Sequence, residues 1–175
     1  MVRGGHHRRV HSADQGVDAV ATRTIIVSVL LLLVARAALA DFDTGCAAFD
    51  RGDYQTARKE WEPLAHEGHA QAQFRLGCLY TFGQGIPEDH ALALRLFRLA
   101  AEQGDADAQN NLGGLYAEGL GVAADQVEAY MWFELAASAG HETAIRDRAL
   151  LAEAMGAVQI ARAEARARTW RAAHP

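Results

Sequence analysis

A shift of 36 residues lays 70–105 onto 106–141 without a gap, and 16 of the 36 positions are identical. A period of that length is the mark of a stacked repeat, in which each unit can bury its apolar face only against its neighbours. The identities are ordered. Ala72, Leu76, Gly77, Tyr80, Gly83, Gly85, Asp89, Ala93, Phe97, Ala100, Ala101 and Gly104 recur as Ala108, Leu112, Gly113, Tyr116, Gly119, Gly121, Asp125, Ala129, Phe133, Ala136, Ala137 and Gly140.

Their spacing is helical. Ala72, Leu76 and Tyr80 stand four apart, while Ala93, Phe97, Ala100 and Ala101 follow the stripe of one buried helix face. Each unit is therefore predicted as a helix A (about 70–82), a loop, and a helix B (about 89–103). Gly83 and Gly85 let the chain leave helix A, Asp89 or Asp125 caps helix B, and Gly104 or Gly140 closes it. Asp125 followed by Glu128 reads as an acidic capping box. The short residues Gly77, Gly113, Ala93 and Ala129 permit close helix crossings, with Tyr80, Phe97, Tyr116 and Phe133 filling the space between.

A shortened unit precedes these two. Aligning Phe49 and Gly52 with Tyr80 and Gly83, and Ala57, Trp61, Ala65 and Gly68 with Ala93, Phe97, Ala101 and Gly104, makes its interhelix loop five residues shorter. Asp53 caps its helix B, and Pro63, lacking an N–H, is expected to kink the last turn. Residues 142–172 keep helical composition without the glycines: Ala144, Ile145, Ala149, Leu150 and Ala152 suggest one helix, and Val158 to Trp170 a second after Gly156. These are expected to form a C-terminal capping pair over residues 142–175, anchored by Trp170.

The first 40 residues read differently. Ile25 to Ala35 is an unbroken run of apolar and small residues between Arg23 and Arg36, followed by Ala38-Leu39-Ala40, the three parts of a secretory signal with cleavage before Asp41, or alternatively after Ala37. The run is about half the length needed to cross a bilayer, so no permanent span is expected after cleavage. Residues 1–19 lie too far upstream for a normal signal and suggest a start site placed early; Arg8-Arg9 is too distant from the apolar run for a twin-arginine signal. Asp43-Thr44-Gly45 before Cys46 lacks the apolar residue of a lipoprotein box. The expected location is periplasmic or secreted.

Half of the 175 residues are hydrophobic, enough for one or two modest domains, and the roughly 135 residues beyond the leader suffice for a continuous core. From Asp41 onward the chain carries 12 basic and 20 acidic residues. That excess repels phosphate backbones and argues against nucleic acid as a partner. It is uneven: 41–141 has net charge −10 and 142–172 has +2.

The pattern Ala-x3-Leu-Gly-x2-Tyr-x2-Gly-x-Gly-[Ile/Val]-x2-Asp-x3-Ala-x6-Ala-Ala-x2-Gly at 72–104 and 108–140 resembles the Sel-one-like repeat, a relative of the tetratricopeptide repeat. The unit at 41–69 is similar to a tetratricopeptide unit through Phe49-x2-Gly52-Asp53-Tyr54-x2-Ala57. The resemblance implies an all-α, right-handed solenoid of stacked helix pairs, acting as an adaptor, in bacteria often exported and linked to envelope assembly, secretion or host contact. Leu96 departs from it, standing where the pattern commonly has the tryptophan seen at Trp132, as does Ala123-Ala124 in place of Pro87-Glu88.

No residue group points to catalysis. Gly83-Gln84-Gly85 and Gly119-Leu120-Gly121 follow no strand and precede no lysine, so they are turn glycines rather than a phosphate cradle. His66, Glu67 and His69 straddle Gly68 and do not have the order of a zinc hydrolase; they read as solvated helix-end residues, and His90, His141 and His174 as lone histidines. Neither metal nor cofactor is expected. Cys46 and Cys78 leave two readings open, a disulfide or two small buried thiols. Aligned with Gly77 and with the position after it, they fall at different angular places on neighbouring A helices, which favours thiols. Family members said to bind β-lactams carry a regular cysteine pair in each repeat, a pattern absent here.

Specificity in a repeat resides where units differ. On helix A these positions are Phe74, Arg75, Cys78 and Phe82 in one unit and Asn110, Asn111, Gly114 and Glu118 in the next. Since A helices of such stacks line the concave surface, these eight form the candidate surface for a protein or peptide partner. The expectation is an exported, non-enzymatic scaffold, monomeric or part of an envelope complex. Its rivals are a cell-wall hydrolase or β-lactam-binding protein, and a purely structural subunit of an envelope assembly.

Overall fold

The structure, a computed structural model, describes residues 42–174, and the predicted leader lies outside them. All regular structure among these residues is helical: α1 (42–50), α2 (Tyr54–His66), α3 (Ala70–Phe82), α4 (His90–Glu102), α5 (Ala106–Glu118), α6 (Gln126–Ser138), α7 (Glu142–Ala154) and α8 (Ala157–Ala173). Odd-numbered helices are the A helices and even-numbered ones the B helices of successive pairs. Each helix from α2 to α6 packs on the next, and α6 is then covered twice, by α7 and by α8. The result is an α/α solenoid.

Caps set the helix starts. Asp53, Asp89 and Asp125 accept from the backbone N–H of Thr56, Leu92 and Glu128, each three residues on, so every described B helix before α8 opens on an aspartate. Asp125 accepts from Val127 as well. Glu128 does not complete a capping box: the Asp125 backbone N–H already donates to the Tyr116 carbonyl at 3.0 Å, and the Glu128 carboxylate crosses to Arg166 of α8. Helices α3 and α5 end on Gly83 (φ 62°) and Gly119 (φ 72°), left-handed conformations that a side chain would strain. Helix α2 runs through Pro63 to His66.

Close crossings are made by glycine against an aromatic ring. A methyl group at Gly77 would come within 2.5 Å of the Phe97 ring, and one at Gly113 within 2.7 Å of the Phe133 ring. Gly45 bears the same relation to Trp61, where a methyl would meet Nε1 at 2.3 Å. This corrects the alignment of the short unit. Gly45, not Cys46, is the counterpart of Gly77, the offset is 32 rather than 31 residues, and the loop between α1 and α2 is four residues shorter than its successors, 51–53 against 83–89. The signal was in the sequence: Phe-x-x-Gly-Cys occurs at 42–46 and again at 74–78.

The tail opens as a third unit would. Helix α7 begins 36 residues after α5, as α5 begins 36 after α3, and His141 caps it as His69 caps α3 and Asp105 caps α5, each ring Nδ1 or carboxylate accepting from the third residue on. What ends the repeat is the loss of apolar anchors. Buried Leu112 has Arg148 as its counterpart, and Arg148 pairs with Glu134 of α6 instead of entering a core. Ile145 and Leu150, expected on a buried face, are 44% and 65% exposed, because α7 meets α6 chiefly through Ala144. Trp170 does anchor α8, edge-on to Trp132 at 5.9 Å. The positive tail thus has a use: Arg148, Arg166 and Arg171 meet Glu134 and Glu128 of the acidic body. Each pair is half-exposed and contributes about 0.2–1 kcal/mol, so they orient the cap more than they hold it.

Candidate partner-binding groove

The A helices lie side by side at a period of 36 residues, and a groove of about 280 Å³ opens where α3, α5 and α7 meet the start of α4. Five of the eight candidate residues line it: Phe82, Asn110, Asn111, Gly114 and Glu118. Phe82 ends α3 and presents a ring that is 62% exposed. Gly114 forms an open floor, with nothing within 4 Å of where a Cβ would stand. Asn111 donates from Nδ2 to the Asp107 carbonyl at 2.8 Å, which fixes its amide and turns Oδ1 outward from that bond. Asn110 has a buried Oδ1 with no hydrogen-bond partner, and His90, on the same wall, has a buried Nδ1 in the same condition. Two orphaned polar atoms in one groove are an uncommon feature.

The other three candidates lie earlier on α3, outside the groove. Phe74 is half-buried, tilted against Phe97 at 6.0 Å, and belongs to the packing. Arg75 is exposed, its guanidinium 5.8 Å from the Phe74 ring centre. Cys78 is half-buried, and loss of solvent pushes its thiol up to about 12. Cys46 is also raised by burial. Both cysteines are free, so the disulfide reading does not describe this structure. With the register corrected, they hold equivalent places on α1 and α3 rather than different angular ones.

Sequence reasoning missed three charged or polar members of the wall, Thr81, His90 and Asp147. Asp147 was within reach: it is the counterpart of Asn111 and Arg75 once the 36-residue period is carried into the tail. With Glu118 it makes the groove acidic, and no Lys or Arg lines it. Elsewhere, the histidines taken as solvated or lone ends have structural work. His69 caps α3 and stacks on Phe42 at 5.0 Å, and His141 caps α7 while its Nε2 lies 3.0 Å from Asp107. Among the described residues no group of three His, Cys, Asp or Glu is placed to hold a metal ion, and no helix is long and apolar enough to cross a membrane.

The Sel1 repeat family profile matches residues 70–105 and 106–141, the two units whose glycine–aromatic crossings are described above. Residues 70–141 are two Sel1 repeats. Two solved structures support this. One is c5321, a protective antigen present in uropathogenic Escherichia coli strains and displaying an SLR fold; it is 30% identical with TM-score 0.74 over 78% of this chain. The other is a Sel1 repeat protein from Oxalobacter formigenes, 32% identical with TM-score 0.60 over 63% of this chain. The chain spans 30% and 45% of the lengths of those two proteins. No curated protein matches it. Sel1 repeats are scaffolds for protein–protein interaction, and proteins of this fold are typically non-catalytic.

Proposed function

We propose that this Sel1 chain is an exported, non-enzymatic scaffold that holds an extended segment of a partner protein along the concave face of its A helices. The observation that carries the reading is the convergence of Phe82, Asn110, Asn111, Gly114 and Glu118 on one groove, all at positions where the two complete units differ. Scaffold positions are repeated because every unit needs them; groove positions are free to fit a ligand. The lining supports a segment with a basic side chain beside an apolar one. Glu118 and Asp147 meet the charge, the Phe82 ring takes the apolar or guanidinium face, and the partner's backbone N–H groups supply the donor that Asn110 Oδ1 lacks.

Export follows from the leader pattern at 23–40, and periplasmic or secreted is the proposed location. The N-terminal sequence of the mature protein tests it; a product retaining residues 1–40 removes it. For the groove, a photo-crosslinking side chain is placed at Gly114, where there is room, and at exposed Val158 of α8 as control. Partners crosslinked from envelope fractions at 114 and lost on N110A/N111A, with helicity unchanged, sustain the reading. Equal crosslinking from both positions, or indifference to the double substitution, removes it.

A further inference from the structure

The first complete unit departs from the second at a place the groove does not use. Leu96 and Trp132 occupy the same position of helix B, 36 residues apart. Around them part of the wall is the same in both units: Ala65, Leu76, Tyr80 and Leu99 recur as Ala101, Leu112, Tyr116 and Leu135, whereas Leu92 and Arg95 have Glu128 and Met131 as counterparts and Trp170 of α8 also packs on Trp132. In the second unit that space is closed, with Trp132 5% and Leu135 4% exposed. In the first, Leu99 is 48% exposed, and a cavity of about 330 Å³ lies open between α2, α3 and α4, with Leu76, Tyr80, Leu96 and Leu99 inside and Glu62, His66 and Arg95 at the mouth.

We propose that this cavity is a receptor for an indole, the side chain of a tryptophan presented by a partner polypeptide. The four wall residues that recur accompany an indole in one unit and a vacancy in the other, so the molecule itself offers the ring as a template for the hollow. An apolar hollow of this kind gains by taking up an apolar ring. The mouth suits an indole better than the internal site does. Trp132 Nε1 is buried without an acceptor, whereas the first unit has the Glu62 carboxylate at the rim where the second has Arg98. Glu62 is held by Arg58 at 3.1 Å, and its side chain remains 39% exposed, open to an indole N–H. The cavity shares no lining residue with the groove at Phe82 and Asn110, and stands or falls independently of it.

The test titrates the full chain with indole and N-acetyltryptophanamide, followed by calorimetry and by amide chemical shifts, with N-acetylleucinamide as the aliphatic comparator. Saturable binding of both aromatic probes is expected, with shifts confined to α2, α3 and α4. Leu96→Trp should fill the hollow, raise the melting temperature and weaken indole binding by about tenfold or more, a difference of about 1.4 kcal/mol. Leu99→Gln, at a position already half in solvent, should weaken binding without unfolding the chain. The proposal is overturned if the wild-type chain shows no saturable indole binding, if Leu96→Trp binds indole as the wild type does, or if the leucine amide binds as well as the tryptophan amide. A Leu96→Trp chain that melts below wild type overturns it too, since the hollow then does not admit an indole.

Discussion

The two complete units share their glycines, caps and ring-over-glycine crossings, yet one is closed and the other is not. In 106–141 helix α6 has eight buried residues, Val127, Ala129, Tyr130, Met131, Trp132, Phe133, Leu135 and Ala136; in 70–105 the matching α4 has five, and Leu99 is half-exposed. Repetition therefore fixes the backbone path and leaves the density of packing to the residues that do not repeat. Helix α6 is packed by α5, α7 and α8 and must present apolar atoms nearly all round, whereas α4, packed by α3 and α5, keeps a solvent face.

The largest effect should come from the shared crossing. Phe97→Ala and Phe133→Ala each remove a ring seated on a glycine, and each is expected to lower stability by about 3–5 kcal/mol, measured by urea unfolding. The pair sharpens the comparison, because the cost of a void depends on how far neighbours relax into it. Phe133→Ala, in the denser unit, should be the costlier. Equal losses would mean that the hollow beside Leu96 does not soften the first unit.

Trp132→Leu turns the second unit into a copy of the first. A loss of about 2 kcal/mol is expected from the deleted ring atoms and the contact with Trp170, seen as a lower urea midpoint at unchanged slope. A neutral outcome would break the comparison, since the tryptophan would then not be what closes that unit.

Most of this architecture was legible because a helix repeat writes its core twice. Ala72, Leu76, Gly77 and Phe97 could be read from spacing alone, and so could the caps Asp89 and Asp125. The short unit was misread by one residue because its turn glycine was used as the anchor: Gly52 is the second residue after α1 and Gly83 the first after α3, while the packing partner Gly45 had an unambiguous match in Phe-x-x-Gly-Cys. The tail hid its unit because Arg148 replaces a leucine, and hydrophobic periodicity does not register an ion pair with Glu134. The groove was partly legible, in five residues that differ between units. His90 was not, because it enters the wall from the start of α4 and carries no helix-A periodicity.

Polar repetition gives a third contrast. Gln73 and Gln109 are both 3% exposed and both donate from Nε2 to the carbonyl eight residues back, of Ala65 at 3.0 Å and Ala101 at 3.1 Å, tying each A helix to the end of the preceding B helix. Replacing either by Leu removes that bond while the carbonyl keeps a backbone donor, Gly68 N–H at 3.1 Å or Gly104 N–H at 3.0 Å, and should cost about 0.5–1.5 kcal/mol. Gln73 also accepts from Gln103 Nε2 at 2.8 Å, a partner whose counterpart in the next unit is Ala139. Gln73→Leu should therefore be the more damaging of the two, and a reversed order in chemical denaturation would show that the Gln103 bond adds nothing.

The smallest effect separates the units by pH. Cys78 in the first corresponds to Gly114 in the second, and burial lifts the thiol from its ordinary 9.0 to about 12. Below pH 9 the thiol is protonated in folded and unfolded chains alike and contributes no pH dependence. Between 9 and 12 the unfolded chain releases the proton and the folded chain retains it, so stability declines as pH rises through that window. Cys78→Ala should flatten that decline in melting curves taken from pH 8.5 to 11. A thiol-reactive disulfide reagent should meanwhile modify Cys78 in the native protein only slowly, with rapid modification after urea is added. Rapid native modification at pH 8, or an alkaline decline unaltered by Cys78→Ala, would place position 78 in the same open setting as Gly114 and remove this difference between the units.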